Sequence, residues 1–541
     1  MTSMTGGQAL VQSLEAHGVD TIFGIPGVQM DHFFNALHDE RNRIRTIHTR
    51  HEQGAGYMAF GYAAATGRAG VCAVVPGPGL LNASAALATA YACNAPVLCI
   101  SGQIPSRSIG RGVGMLHEIP DQLGMLRGLT KWAKRIDHPG QAPELVSEAF
   151  KQLAIGRIRP VALEMALDTL AQEAAVELLD PATHRAAPDA DAERIDQAAQ
   201  LLGAAERPLI FAGGGTADAG PEIQALAEAL QAPIVLSRGS LGAVDNRHYL
   251  VQSPPGGHRL WANSDVVLGV GTRMNPQIPT WGADDNLKII RIDIDPVEIN
   301  RVHRPTVEVV GDAAPVLTAL TERVERYNRK RISRKKELDG LKAELSAEFE
   351  RTLGPQVAYL DAIRAELPED GIFVEDLTQV GYVARFAFPT YRPRTFITTG
   401  YQGTLGFGFA TALGVKVARP ETPVVAVTGD GGFMYNVQEL ATAVLHGINV
   451  VTVVFSDGAY GNVRRMQIED HGNRVIATDL HNPDFVKLAE SFGAQGLRAA
   501  TPNELRGALR SGFDTPGPTL IEVPVDEMPS PWDYIFMRRA R

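Results

Sequence analysis

The chain has 541 residues, of which 45% are hydrophobic and 21% charged, and its net charge is −10. That length is too great for one hydrophobic core and implies two to four domains. The acidic balance, without a basic block, argues against a nucleic-acid partner, and no run of about 18 apolar residues is available to span a membrane.

The first residues show no basic segment followed by an apolar one, so no signal peptide is indicated and a cytoplasmic location is expected. Cys72, Cys93 and Cys99 form no CxxC and sit in apolar surroundings, as reduced core residues would.

Residues 1–175 alternate helical and strand patterns. Positions 7–16 read as a helix, 21–23 as a short strand, and Gly24-Ile25-Pro26-Gly27 as a turn with Gln29 just beyond it. A strand over 44–48 runs into Arg50-His51-Glu52, and an alanine-rich helix follows over 54–66. The next strand, 70–75, closes in Pro76-Gly77-Pro78-Gly79. A helix through Tyr91 leads to a further strand over 96–101. Strands alternating with helices predict a parallel, doubly wound sheet. Glu52 stands at a strand exit. A carboxylate there either reaches a ligand in the crevice or simply favours a helix start through the macrodipole.

Residues 185–345 repeat the pattern, with strands over 208–212, 233–236 and 265–270 and the apolar run Ile289-Ile290-Arg291-Ile292. Gly213-Gly214-Gly215 follows the first of these. Outside a GxGxxG context it reads as a tight strand-to-helix turn in preference to a diphosphate loop. Residues 322–350 are dense in Lys, Arg and Glu and read as a solvated helical connector.

In residues 355–525, Val424-Val425-Ala426-Val427 reads as a buried parallel strand. It ends in Gly429-Asp430-Gly431-Gly432, where the backbone can approach a ligand closely. A helical pattern follows with Leu440, Val444 and Leu445 at core spacing. A buried strand over 450–455 then enters Ser456-Asp457-Gly458-Ala459-Tyr460-Gly461. Both acidic turns fall at carboxyl ends of parallel strands, where open α/β sheets bind ligands. Asp430 and Asp457 would meet there beside amides at a helix start, an arrangement able to hold a divalent cation and a diphosphate together. The tail, 526–541, carries Trp532 and Tyr534 among prolines. Its composition fits an arm over the site or a strand docked at a subunit contact.

Gly429-Asp430-Gly431 with Asp457 placed 457 − 430 = 27 positions on resembles the thiamine diphosphate motif, Ser456-Asp457 standing where that family most often has an Asn-Asn pair. Phe23-Gly24-Ile25-Pro26-Gly27, Arg50-His51-Glu52-Gln53-Gly54-Ala55 and Pro76-Gly77-Pro78-Gly79 with Asn82 resemble the pyrimidine domain of acetolactate synthase-like thiamine diphosphate enzymes. The resemblance implies three doubly wound parallel-sheet α/β domains: a pyrimidine domain (1–175), a middle Rossmann-like domain (185–345) and a diphosphate domain (355–525), followed by the tail. It implies Mg2+ bound by the Asp430 and Asp457 side chains and the Ala459 carbonyl. Gly429, Gly431, Gly432, Gly458, Tyr460 and Gly461 then surround the cofactor, and Gln379 matches a diphosphate contact. Glu52 matches the glutamate that hydrogen-bonds N1′ of the pyrimidine. Gly400-Tyr401-Gln402-Gly403-Thr404-Leu405 resembles the segment beneath the cofactor, with Leu405 as the apolar wedge and the Gly403 carbonyl accepting from the pyrimidine amine.

The positions facing substrate depart from acetolactate synthases. His117 replaces a glutamine, as an acid or base near the cofactor or as a loop cap. Met466 stands where those synthases carry a tryptophan, and Gln277 where they carry an arginine that clamps a carboxylate. Gly27 and Gln29 line the pocket. Gly271-Thr272-Arg273 precedes Met274-Asn275-Pro276-Gln277, not the Phe-Asp-Asp-Arg of flavin-binding members, which counts against FAD. The expected activity is Mg2+-dependent carboligation from a 2-oxo acid. The alternatives are simple 2-oxo acid decarboxylation with a proton from His117, an acyl-CoA lyase or decarboxylase, and a catalytically silent binding homologue. The family's assembly implies at least a homodimer, with Glu52's domain of one subunit against Asp430's domain of another, and commonly a homotetramer.

Overall fold

A computed structural model describes residues 1–181, 189–275 and 277–541. The expected domain start at 185 and the expected loop residue Pro276 lie outside the described residues.

Three six-stranded sheets, every pairing within them parallel, carry the fold. Their central strands are short apolar runs buried on both faces, such as Gly70–Val74 and Val424–Gly429, because helices cover both sides of a parallel sheet. The first sheet is ordered Arg45–His48, Thr21–Gly24, Gly70–Val74, Val97–Gln103, Val161–Ala166, Trp132–Ile136. The last is ordered Phe396–Ile397, Ile372–Glu375, Val424–Gly429, Val451–Ser456, Thr519–Pro524, Gln495–Arg498. Numbered within each sheet, both read 2-1-3-4-6-5. The topology reverses between strands 1 and 3, and in open parallel sheets ligands bind beyond the carboxyl ends of the strands near such a reversal. The middle sheet reads 3-2-1-4-5-6, the order of dinucleotide-binding folds. A short antiparallel pair, Thr2–Thr5 with Glu173–Val176, ties the first residues to the end of the first domain.

The first and last sheets meet through two helices, Glu52–Thr66 and Phe407–Ala418. Glycines permit the approach. A Cβ on Gly61 would lie 2.1 Å from the Thr411 carbonyl oxygen, and one on Gly414 would lie 2.0 Å from that of Met58. Tyr57 and Phe60 then pack on Phe407 in one continuous apolar cluster.

Two expectations change, and one open alternative is narrowed. The charged stretch 322–350 is not one helix. Ala313–Val324 and Lys335–Thr352 are separated because Arg331 spends its guanidinium on the carbonyls of Leu202, Gly203 and Ala205, drawing the chain onto the middle domain. Val444 and Leu445 are not core residues. They are 37% and 63% exposed, the buried side of helix Glu439–Leu445 being Glu439, Leu440, Thr442 and Ala443. The tail, for which an arm and a docked strand both stood open, lies along its own chain. Trp532 packs against Tyr382 and Phe536, and the Ala540 amide donates to the Trp281 carbonyl. The three cysteines are free, and among the described residues no helix is long and apolar enough to cross a membrane.

Candidate functional site

Strands Val424–Gly429 and Val451–Ser456 are neighbours, so the two acidic turns face each other at one sheet end. Gly429 is the last strand residue, and Asp430–Phe433 is a single helical turn, so Asp430 starts a helix instead of lying in an open loop. Asp430 is almost completely buried. Its Oδ1 accepts from the Gly431 amide at 2.7 Å, and its Oδ2 accepts from the Gly458 amide at 2.8 Å and from Asn482 Nδ2 at 2.6 Å.

Asp457 accepts from the Ala459 amide at 3.2 Å and from Gln379 Nε2 at 2.9 Å. Burial, and after it the negative charge of Asp430, push the Asp457 carboxyl up. Two carboxylates in one desolvated place repel, and a cation between them removes the conflict. The oxygens present suit a hard divalent ion that also takes phosphate and water. Among the described residues no group of three His, Cys, Asp or Glu side chains could hold a metal by itself.

The surrounding turn is tightly determined. Leu480 N donates to the Gly458 carbonyl and Arg464 N to that of Tyr460, the carbonyls on either side of Ala459. A Cβ on Gly431 would lie 2.8 Å from the Tyr460 ring, and one on Gly461 would lie 2.8 Å from Asp457 Oδ2. A Cβ on Gly432 would meet Asp376 Oδ2 at 3.3 Å. Gly458 has a φ of 69°, a conformation that favours glycine. Met466 lies on the following helix, Gly461–Glu469, and is exposed, whereas its neighbour Arg465 turns inward to the Met528 carbonyl.

The segment before helix Phe407–Ala418 is held from two sides. Asp376 Oδ2 accepts from the Gly408 amide at 2.9 Å, and Asn436 Nδ2 donates to the Gly406 carbonyl at 2.6 Å. Leu405 is half-buried immediately before these anchors, and Gly403 is exposed with a φ of 58°. Asp376 is itself buried, which pushes its carboxyl up to about 6.

On the first sheet, Glu52 is the first residue of its helix and accepts from Asn82 Nδ2 at 3.0 Å. A Cβ on Gly27 would lie 2.5 Å from Val75, so that turn packs on the end of strand Gly70–Val74. Gln29 is buried. Its amide nitrogen donates to the Leu116 carbonyl at 3.1 Å, and its amide oxygen lies 3.0 Å from His117 Nδ1. An amide oxygen only accepts, so Nδ1 carries a proton and Nε2 is the nitrogen left to exchange one. His117 has a φ of 67°, unusual for a residue with a side chain, and its carbonyl lies where a Cβ on Gly77 would be 2.4 Å away.

The expected residues therefore gather in two groups. Asp430, Asp457, Ala459, Gln379 and the glycines form one; Glu52, Gln29, Gly27 and His117 form the other. Among the described residues no hydrogen bond joins Glu52 or His117 to the aspartates. Apolar side chains stand exposed beside both groups, Leu116 at 62% and Tyr435 at 48%. The motifs did not reveal Asn482, Asn436, Asp376 or Glu439. All are polar residues whose partners lie far along the chain.

In the middle domain the amides of Gly213 and Gly215 are spent on the carbonyls of Val270 and Gly271, which makes this a tight turn. Gln277 opens a single irregular turn, Gln277–Trp281.

Comparison with known proteins gives three family matches in chain order. Residues 4–125 match the thiamine pyrophosphate enzyme N-terminal TPP binding domain, 195–320 its central domain, and 376–523 its C-terminal TPP binding domain. The chain is 37% identical over 539 residues to a Pseudomonas aeruginosa protein named "Probable 2-ketoarginine decarboxylase", covering 96% of this chain and 94% of that one. It is 34% identical over 551 residues to a "Probable acetolactate synthase large subunit" of Methanocaldococcus jannaschii (97% and 92% covered). It is 33% identical over 552 residues to the acetolactate synthase large subunit of Haemophilus influenzae (97% and 95% covered). The chain belongs to the acetolactate synthase-like family of thiamine diphosphate-dependent enzymes, which comprises carboligases and decarboxylases.

Proposed function

We propose that the chain is a Mg2+-dependent C–C bond lyase or ligase that acts on a 2-oxo acid, with carboligation as its reaction. The observation that carries this reading is the Asp430–Asp457 pair, two carboxylates at the carboxyl ends of neighbouring parallel strands, with Asp457 pushed up by burial and then by the charge of Asp430. Asp430, Asp457 and the Ala459 carbonyl would hold Mg2+. Gly429, Gly431, Gly432, Gly458, Tyr460, Gly461 and Gln379 would surround the diphosphate. Thiamine diphosphate, when bound, supplies a carbon nucleophile for the substrate carbonyl and an electron sink once the adjoining bond breaks.

Glu52 would hold a proton at the pyrimidine N1′, with its side chain oriented by Asn82. Leu405 would press on the cofactor from below, and Gly403 would accept from the pyrimidine amine. Gln29 fixes the ring of His117 so that Nε2 can give or take a proton in the substrate pocket. Gly27 and Met466 would border that pocket. The exposed apolar side chains beside each half-site support a homodimer in which a second copy covers both, and a homotetramer is the larger assembly this reading allows.

A second reading, plain 2-oxo acid decarboxylation, is favoured by the Gln29–His117 pair, since a positioned imidazole can supply the proton that ends the reaction. The test is CO2 release from a panel of 2-oxo acids, with and without added aldehyde, on protein loaded with thiamine diphosphate and Mg2+. CO2 with a hydroxyketone product supports carboligation, and CO2 with free aldehyde alone supports decarboxylation. No CO2 from any acid overturns both.

A further inference from the structure

Glu439 opens helix Glu439–Leu445 in the last domain and is completely buried, yet most of its carboxylate's bonds leave that domain. Oε1 accepts from the His51 amide at 3.0 Å and from the Arg50 amide at 3.2 Å. Oε2 accepts from the Arg50 amide at 3.1 Å and from Thr442 Oγ1 at 2.6 Å. Arg50 and His51 are the two residues immediately before Glu52, in the short turn between strand Arg45–His48 and helix Glu52–Thr66. A Cβ on Gly54 would lie 2.6 Å from Glu439 Oε1, so the carboxylate also fits against the first helical turn.

A buried carboxylate is costly unless hydrogen bonds satisfy it, and here two main-chain amides of another domain do so. The turn that delivers Glu52 is therefore fastened at its backbone by Glu439 and at its side chain by Asn82. Thr442 orients Glu439 from its own helix. Asp430 lies 439 − 430 = 9 positions before Glu439, so one short segment carries a proposed metal ligand at its start and the anchor of the Glu52 turn at its end.

We propose that Glu439 is a positioning residue for Glu52: it fixes the backbone of Arg50 and His51 and so aims the Glu52 carboxylate at its proton-holding position. The proposal rests on the reading of Glu52 given above. It makes proton removal from the cofactor depend on a residue of the opposite domain that touches neither cofactor nor substrate.

The test uses the full chain loaded with thiamine diphosphate and Mg2+, as wild type, E439Q, T442V and E52Q. E439Q keeps the shape but turns an amide toward amide donors. Three quantities are read: hydrogen exchange of the Arg50 and His51 amides, exchange of the cofactor's C2 proton followed by quenched NMR, and cofactor affinity. In E439Q the two amides should exchange at least about tenfold faster. C2 exchange should slow by roughly tenfold to a hundredfold, the scale of a small misplacement, with affinity within about twofold. T442V should show a smaller version of both changes, and it answers the question if E439Q fails to fold. Loosened amides with C2 exchange at the wild-type rate, in E439Q or T442V, would overturn the proposal. E52Q separates the two readings. If it keeps wild-type C2 exchange with protected amides, the role of Glu52 itself fails, and if it loses exchange while E439Q keeps it, only the role of Glu439 fails.

Discussion

Asn482 Nδ2 donates to Asp430 Oδ2 at 2.6 Å across 52 positions of the chain, and the same nitrogen lies 3.3 Å from Ser456 Oγ. Asn482 thus fixes one carboxylate oxygen of the proposed metal ligand from outside the motif. Groups that orient a metal ligand typically contribute about ten- to a hundredfold in affinity. N482A should weaken Mg2+-dependent thiamine diphosphate binding by that factor with an unchanged circular dichroism spectrum. Calorimetric titration checks this, and wild-type affinity would show that the contact is incidental.

His117 sits at a φ of 67° with its Nδ1 on Gln29. Glycine tolerates that conformation, but H117G also leaves the buried Gln29 amide oxygen unpaired, so the gain and the loss oppose and its stability should lie within about 1 kcal/mol of wild type. If the imidazole moves a proton, turnover should fall about a hundredfold. Chemical denaturation and CO2 release read the two effects separately. Undiminished turnover would leave His117 as a loop cap.

Asp376 has a carboxyl raised to about 6 from an ordinary 3.8, first by burial. The folded chain then binds this proton more tightly than the unfolded chain does. Its contribution to stability is complete below about pH 4 and is lost as the pH rises through about 6. The whole interval is worth about 3 kcal/mol, of which about 1 kcal/mol falls between pH 7 and pH 5. The unfolding free energy of wild type minus that of D376N should therefore increase on acidification from pH 7 to pH 5, as measured by denaturant titration. A difference that does not change with pH would contradict the assignment.

Gln379 donates to Asp457 and accepts from the Met528 amide at 2.7 Å, so one side chain ties the acidic turn to the tail. Q379A should lower cofactor affinity about tenfold and open the segment 526–531 to proteolysis, two changes readable on the same sample. An intact tail with reduced affinity would separate the two roles.

How far the sequence foretold these features follows from how locally each is encoded. The three parallel sheets were legible from their central strands, which are continuous apolar runs, as at Val424–Gly429, whereas edge strands such as Trp132–Ile136 and Gln495–Arg498 carry too many polar residues to stand out. Asp430 and Asp457 could be paired because they end neighbouring strands a helix apart. Asn482 and Asn436 could not, since each reaches its partner through tertiary folding and carries no periodic signal. Val444 and Leu445 misled for a related reason: spacing shows that a helix has an apolar stripe, but the buried one runs through Leu440 and Ala443. The tail's course over Tyr382 and Trp281 depends on aromatic contacts that composition alone leaves open.

Asp430 and Asp457 are the proposed metal pole of the cofactor site. The most direct measurement is thiamine diphosphate binding to apoprotein, titrated in Mg2+ and in EDTA, for wild type and D430N. Saturable binding by wild type only with Mg2+, weakened at least about a hundredfold in a folded D430N, is the predicted result. Equal binding in EDTA, or by D430N, would contradict it.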